Sequence, residues 1–219
     1  MKFCLVKKFK YAIGLTLIVL IGAGCGKAKV QVYHDTETNW DYPTTVAVLP
    51  FSYNAVIVEG NRPHMILREV FFNYFSYLGY TDVPLNTVDL KVAPTIKSGI
   101  AVDDMSNGQL KKILGTDAVV RGRVINATNI TAGFYAETSI EAKLEMMDLR
   151  TGELLWETEH IELDTSSIVT PSLVDMIEDQ AANSEIGEAY HRIAESFVLK
   201  VLAKVPDPAN LRREEIRLP

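Results

Sequence analysis

Thr-Thr-Val-Ala-Val-Leu-Pro-Phe, residues 44–51, is the stretch of this 219-residue chain that decides its fold. Consecutive apolar residues, without alternation with polar ones, are typical of a strand that is covered on both faces. Pro50 lacks a backbone N–H donor and is expected to end the pairing of this strand. The stretch therefore predicts a central strand with layers on both of its sides.

The segment that follows predicts a helix and a second strand. Asn61, Arg62 and Pro63 form a typical helix start, with a polar cap and a proline in the first turn. The apolar residues that follow recur at spacings of three and four and give one apolar helix face: Leu67, Phe71, Tyr74, Phe75 and Leu78. Gly79 is the expected C-cap. Residues 80–85 are expected to form a strand, which completes a β-α-β unit with a right-handed crossover.

Short helices and a strand are predicted in the middle of the chain. Residues 86–97 fit both the helical and the strand period, and we interpret them as a short helix. Ser106 and Gly115 are typical caps for a helix over residues 107–114. A strand is predicted over residues 117–126.

Two long strands and a long helix complete the predicted domain. The strands cover residues 138–149 and 153–163, and Arg-Thr-Gly at residues 150–152 is typical of a tight antiparallel hairpin turn. After Pro171 a long amphipathic helix is predicted to continue to about Lys204. The prolines that follow are expected to end it.

The N-terminus has the features of a lipoprotein signal peptide. Four lysines and no acidic residue precede an apolar run that ends in Gly24, and Cys25 follows directly. We predict cleavage between Gly24 and Cys25, so that residues 1–24 are the signal peptide. An uncleaved anchor is the alternative, although the run is shorter than the roughly 20 apolar residues of a spanning helix.

Residues 21–25 resemble the bacterial lipobox, which implies a diacylglyceryl group on the Cys25 thiol and a third acyl chain on its amine. Several acyl chains form a stable anchor, whereas one chain binds only reversibly. In enteric bacteria an aspartate after the acylated cysteine retains a lipoprotein in the inner membrane, and Gly26 stands there in this chain. We therefore expect a lipid-anchored protein on the periplasmic face of the outer membrane.

The charge and the cysteine content exclude several classes of partner and bond. Cleavage would remove four lysines and change the formal net charge from −6 to −10. A negative domain repels nucleic acid and anionic lipid, so neither is an expected partner. Cys4 and Cys25 are the only cysteines, so acylation of Cys25 leaves no disulfide. Beyond the signal peptide we predict a lipidated tether, a periplasmic α/β domain and a solvated tail: residues 25–43, 44–205 and 206–219.

Several motifs in one order resemble the amino-terminal domain of TolB and its relatives. These are Val-Ala-Val-Leu-Pro-Phe at 46–51, Leu-Gly-Tyr at 78–80, Gly-Thr-Asp-Ala-Val-Val-Arg-Gly at 115–122 and Asp-Leu-Arg-Thr-Gly-Glu-Leu-Leu-Trp at 148–156. Such proteins include the curli-secretion channel lipoprotein and an outer-membrane lipoprotein that activates a penicillin-binding protein. With Arg-Pro-His-Met at 62–65, the chain is also similar to a bacterial lipoprotein family first identified as neisserial surface-antigen candidates.

The resemblance implies an α/β fold, a mixed β-sheet flanked by helices, here followed by the long C-terminal helix. It also implies a non-enzymatic protein that docks to other envelope proteins, as an accessory or scaffold of a secretion or transport complex. Two alternatives stay open: a lipoprotein that binds a small ligand or glycan, and an activator of a cell-wall synthase. Trp156 is expected to be the buried aromatic residue of the hairpin.

The residues that could carry chemistry form no known catalytic or metal-binding motif. The four histidines lack the spacing of a zinc site: His34, His64, His160 and His191. No serine stands in Gly-x-Ser-x-Gly, and no glycine-rich loop follows the first strand. We therefore expect no enzyme activity, no metal and no cofactor.

Three residues are candidates for contact with a partner or ligand. His64 stands at the predicted helix start, and Arg121 and Arg123 alternate with apolar residues on a strand. Arginine suits anionic glycans and carboxylates, whereas pairing with glutamates on the neighbouring strand is the structural alternative. Asp103 and Asp104 are interpreted as solvated residues before a helix, a position that the helix dipole favours.

Overall fold

One mixed sheet of seven strands organises the computed structural model over the residues that it describes, 27–33, 42–53, 62–132, 135–167 and 181–208. The strands are β1 Val30–Val32, β2 Thr45–Val48, β3 Ser52–Tyr53, β4 Thr81–Val83, β5 Ala118–Ala132, β6 Tyr135–Asp148 and β7 Leu154–Ser167. The helices are α1 Pro63–Phe75, α2 Leu85–Lys97, α3 Asn107–Leu114 and α4 Ala181–Leu202, with a 3-10 turn at Val102–Asp104.

The sheet is parallel on one side of β5 and antiparallel on the other. Its order is β1-β7-β6-β5-β2-β4, and β3 continues along β5 after the break at Pro50. Strands β4, β2 and β5 run parallel, whereas β5, β6, β7 and β1 pair antiparallel. This confirms the expected α/β fold, a mixed sheet flanked by helices.

Strand β2 is buried on both faces, as its apolar sequence predicts. Val46 and Val48 belong to the core that β5, β6 and β7 share with α1 and α4. Ala47 and Leu49 belong to a second core that includes residues of α2 and α3. We call the two sides of the sheet the α1/α4 face and the α2/α3 face.

A carboxylate sets the register between the starts of β2 and β5. The Asp117 Oδ2 atom accepts hydrogen bonds from the backbone N–H groups of Thr45 at 3.0 Å and Thr44 at 3.3 Å. In return, the Asp117 N–H donates to the Thr45 carbonyl oxygen at 3.0 Å. Burial alone would raise the pKa of Asp117, but the bonds from Thr45 and Thr44 hold it below its ordinary value. The ionised carboxylate thus aligns the two parallel strands.

The local signals for helix ends are confirmed at α3 and differ at α1. Helix α3 begins with a capping box between Ser106 and Gln109 and ends at Gly115, which has a φ of 73°. Helix α1 ends at Phe75 and not at Gly79, because the chain reverses there. The reversal stacks the buried Tyr80 ring on Phe75, with centroids 4.8 Å apart.

The predicted hairpin turn between β6 and β7 is confirmed. The buried Asp148 carboxylate accepts from the backbone N–H and the guanidinium of Arg150, both at 2.7 Å. Gly152 has a φ of 83°, which glycine adopts without strain. Strands β5 and β7 extend beyond the predicted residues 126 and 163. Trp156 is fully buried, as expected for the aromatic residue of this hairpin.

Residues 27–33 differ from the expected tether, because they enter the sheet. Strand β1 pairs antiparallel with β7 at its edge, and Ala28 is buried in the core. The Thr158 hydroxyl donates to the Lys29 carbonyl at 2.8 Å, and Lys204 Nζ donates to the Ala28 carbonyl at 2.5 Å. Residues 42–43, at the other end of the predicted tether, are also buried, and residues 25–26 and 34–41 lie outside the described residues.

Helix α4 accounts for the described part of the predicted long C-terminal helix. Its apolar side packs on the sheet through a run of buried residues: Tyr190, Ile193, Ala194, Phe197, Val198 and Val201. Residues 171–180 and the tail beyond 208 lie outside the described residues, as does the predicted signal peptide. None of the described helices is both long and apolar enough to cross a membrane.

The α1/α4 face is packed tightly around Gly122. A Cβ atom at Gly122 would lie 2.5 Å from the ring of Phe51, which is itself buried. We expect Gly122→Ala to lower the free energy of unfolding by about 1–3 kcal/mol through overpacking. Urea denaturation followed by circular dichroism measures the change.

Gly108→Ala is the matched control, because a Cβ at Gly108 in α3 meets nothing within 4 Å. We expect this variant to be as stable as the parent or more stable, since alanine favours a helix over glycine. Equal stability of the two variants would show that the Phe51 ring yields without cost.

Candidate functional site

Polar side chains meet where β3 lies beside β5 on the α2/α3 face. The Asp103 Oδ2 atom accepts a hydrogen bond from the Ser52 hydroxyl at 2.8 Å and from Arg123 NH2 at 2.9 Å. Arg123 remains half-exposed, whereas Asp103 is mostly buried. The 3-10 turn positions Asp103, and the register of β3 and β5 places Ser52 opposite Arg123.

Arg121 attaches the 3-10 turn to the sheet. Its guanidinium donates to the backbone carbonyls of Val102 at 3.3 Å, Asp103 at 3.1 Å and Met105 at 2.7 Å. The guanidinium therefore satisfies three carbonyls of a segment that leads into α3. Neither arginine follows the structural alternative of a glutamate on the neighbouring strand. Asp103 is also not the solvated residue that the sequence predicted, because it bonds Ser52 and Arg123.

His64 lies on the opposite face of the sheet from the two arginines. Its ring stacks on Tyr53, with centroids 5.8 Å apart and the planes 17° apart. The Nδ1 atom is buried and has no hydrogen-bond partner among the described residues. Burial, together with the charge of Arg62, lowers the pKa of His64 below its ordinary value. At neutral pH the ring is uncharged, with one ring nitrogen free to bond.

The three candidate contact residues therefore do not form one site. Ser52 and Tyr53 are consecutive in β3, so their side chains point to opposite faces of the sheet. Ser52 bonds Asp103 on the side of Arg121 and Arg123, and Tyr53 stacks on His64 on the other side. Their assignment as partner or ligand contacts stays a prediction.

A buried polar cluster that the sequence did not indicate joins β7 to α4. The Glu162 Oε1 atom accepts from the Ser196 hydroxyl at 2.9 Å and from Lys200 Nζ at 2.5 Å. Its Oε2 atom lies 3.0 Å from His160 Nε2. Burial alone would raise the pKa of Glu162, but the bonds from Lys200, His160 and Ser196 hold it below its ordinary value.

The geometry of this cluster suits a role in holding β7 and α4 together. Ser196 and His160 bind different oxygen atoms of Glu162, whereas a serine nucleophile needs a hydrogen bond to its histidine base. The alternation of Thr158, His160 and Glu162 on one side of β7 is the pattern from which the cluster could have been predicted. No described group of three or more His, Cys, Asp or Glu residues is placed to hold a metal ion.

The chain matches no protein-family model, and no curated protein matches its sequence significantly. Lipoprotein GNA1162 from Neisseria meningitidis is similar in structure at 20% identity and a TM-score of 0.47, over 67% of this chain and 99% of that one. Hypothetical protein CT253 from Chlamydia trachomatis is similar at 12% identity and a TM-score of 0.47, over 74% and 95%. The LpoB C-terminal domain from Salmonella enterica is similar at 13% identity and a TM-score of 0.36, over 66% and 90%.

These identities and TM-scores do not assign the chain to a family. Among these three structures, one is named a lipoprotein and another is a domain of LpoB. The relation to TolB and to the curli-secretion channel stays a prediction from the sequence motifs.

We expect Glu162 to stabilise the fold by an amount that decreases at acidic pH. We expect Glu162→Gln to lower the free energy of unfolding at pH 7 by about 2 kcal/mol, because Lys200 and His160 lose a charged acceptor. The pKa of Glu162 is lower in the folded state, so this contribution is full above the unfolded value of about 4.3. It is lost as the pH falls through the folded-state pKa. Urea denaturation between pH 7 and pH 3 measures the difference.

Glu159→Gln is the control, because Glu159 is an exposed glutamate on the other face of β7. It should change the stability by less than about 0.5 kcal/mol at every pH. A Glu162→Gln deficit that persists unchanged at pH 3 would contradict the assigned role of the charge.

Proposed function

We propose that this chain is a bacterial lipoprotein acylated at Cys25 and anchored on the periplasmic face of the outer membrane. Its α/β domain acts without catalysis, as an accessory subunit or scaffold of an envelope secretion or transport complex. The observation that carries the proposal is how soon after Cys25 the chain joins the domain: Ala28 is buried in the core, and strand pairing begins at Val30. An anchor this close holds the folded domain at the membrane surface.

The use of the charged side chains supports a binding role over a catalytic one. The Arg121 guanidinium bonds backbone carbonyls, and Asp103 bonds Arg123 and Ser52. Glu162 accepts hydrogen bonds from three side chains of β7 and α4. These groups stabilise the domain through internal bonds.

The edge opposite the anchor supports a surface for a protein partner. Tyr77 is 87% exposed and precedes β4, and Leu90 is 75% exposed on α2, directly after β4. Both side chains have a larger exposed fraction than any other large apolar residue among the described ones. Strands β1 and β4 are separated by five strand spacings of about 4.8 Å, so this edge lies about 24 Å from the anchored edge.

Acylation is tested directly at the cysteine. We expect mass spectrometry of the N-terminal peptide to show cleavage before Cys25 and three acyl chains, with the protein in the outer-membrane fraction. Cys25→Ala should abolish the lipid mass and leave an uncleaved or mislocalised precursor. Normal lipid labelling of Cys25→Ala would refute the anchor.

The partner surface is tested by photo-crosslinking in cells. A benzophenone amino acid at position 77 or 90 should give one discrete adduct of the same mass in the outer-membrane fraction. Position 65 is the matched control, because Met65 is 50% exposed near the start of α1, about 15 Å of helix before the end of α1 at Phe75. The adduct should be missing there.

Two results would contradict the accessory role. One is the lack of any adduct from positions 77 and 90 in an acylated protein, and the other is the same set of adducts from all three positions. The first result would favour the ligand-binding alternative. The observation for that alternative is the buried Nδ1 atom of His64, which has no hydrogen-bond partner in the described part of the chain.

A further inference from the structure

Three apolar side chains stand exposed at the far end of the antiparallel strands. Ile161 is 57% exposed, Leu163 is 52% exposed and Ile130 is 49% exposed. Ile161 and Leu163 occupy alternate positions of β7 and share one face, and we call the three residues the apolar tip. The register puts Leu163 opposite Ser139, and Ser139 opposite Thr128, so Ile130 lies two strands across on the same face.

The described helices leave the apolar tip uncovered. It lies on the α2/α3 face, but the core beneath α2 and α3 extends only to Val119 of β5 and Met147 of β6. Val119 is near the start of β5 and Met147 is near the end of β6, whereas the tip lies at the other end of both strands. Within the part of the chain that the structure describes, these three side chains are therefore accessible to a further surface.

The path of the chain brings the lipid attachment point toward this tip. Strand β1 pairs Val32 with Trp156 and Val30 with Thr158, so the chain before β1 leads toward Ile161 and Leu163. Cys25 is two residues before Lys27, and each residue spans at most about 3.6 Å. The Cα atom of Cys25 is therefore within about 7 Å of that of Lys27.

We propose that the apolar tip rests on the bilayer that holds the acyl chains of Cys25. The proposal rests on the acylation proposed above. The bilayer is the surface that contacts the apolar tip, because the acyl chains must enter the membrane within a short distance of this end of β7. The tip thus fixes how the domain is oriented on its membrane.

The charges around the tip point to neutral headgroups. Lys27 and Lys29 are exposed near the start of β1, whereas Glu159 and Asp164 are exposed along β7. On β6, Glu137 lies opposite Ile130 and Glu141 lies opposite Ile161, so carboxylates outnumber lysines around the tip. These opposite charges give no net attraction for anionic lipid. The contact is therefore apolar, with zwitterionic lipid, and it should persist at high salt.

Lipid-borne quenching tests the orientation of the acylated protein. Leu163→Cys and the control Tyr77→Cys each provide one free thiol, since Cys4 is removed with the signal peptide and Cys25 is a thioether. Each purified variant is labelled with bimane and reconstituted into phosphatidylcholine vesicles that carry doxyl-labelled lipid. We expect at least threefold stronger quenching at position 163 than at position 77, at both low and high salt.

The outcomes separate this inference from the function on which it rests. An acylated protein that floats with vesicles but shows equal quenching at both positions overturns the orientation alone. A protein without lipid on its N-terminal peptide contradicts the proposed anchor and the orientation together. Circular dichroism of both variants verifies the fold, and Ile161→Cys repeats the test if Leu163→Cys does not fold.

Discussion

The burial of β2 on both faces is the constraint on which the rest of the structure depends. Val48 and Leu49 point into different cores, so each face of the strand needs its own layer of helices. An apolar strand of this kind has no face that water can cover at low cost. The chain supplies one layer from α1 and α4 and the other from α2 and α3, which makes the elements depend on one another.

Ionised groups hold these layers in register. Asp117 aligns the starts of β2 and β5, Arg121 holds the turn before α3, and Glu162 joins β7 to α4. Each group is at least partly buried and bonded to several partners, which is how a protein interior accommodates a charge. The polar residues of this domain are thus arranged mainly for its own assembly.

Local signals predicted much of the fold, and long-range pairing explains the remainder. The capping residue Ser106 and the Asp148 turn act within a few positions, so α3 and the β6–β7 hairpin could be predicted. Strand β1 could not, because three residues carry no periodicity and only the open edge of β7 orders them. The separation of His64 from Arg121 depends on β3, a two-residue strand that the sequence does not indicate.

The contact between β1 and the end of α4 also determines when the domain can be completed. The Ala28 carbonyl and Lys204 Nζ are 176 positions apart in the chain, and Thr158 and the Lys29 carbonyl are 129 apart. Contacts this distant in sequence carry a large loop-closure cost and are made slowly. Because Lys204 follows Ala28 by 176 positions, the start of the chain can take this contact only after the strands and helices between them have assembled.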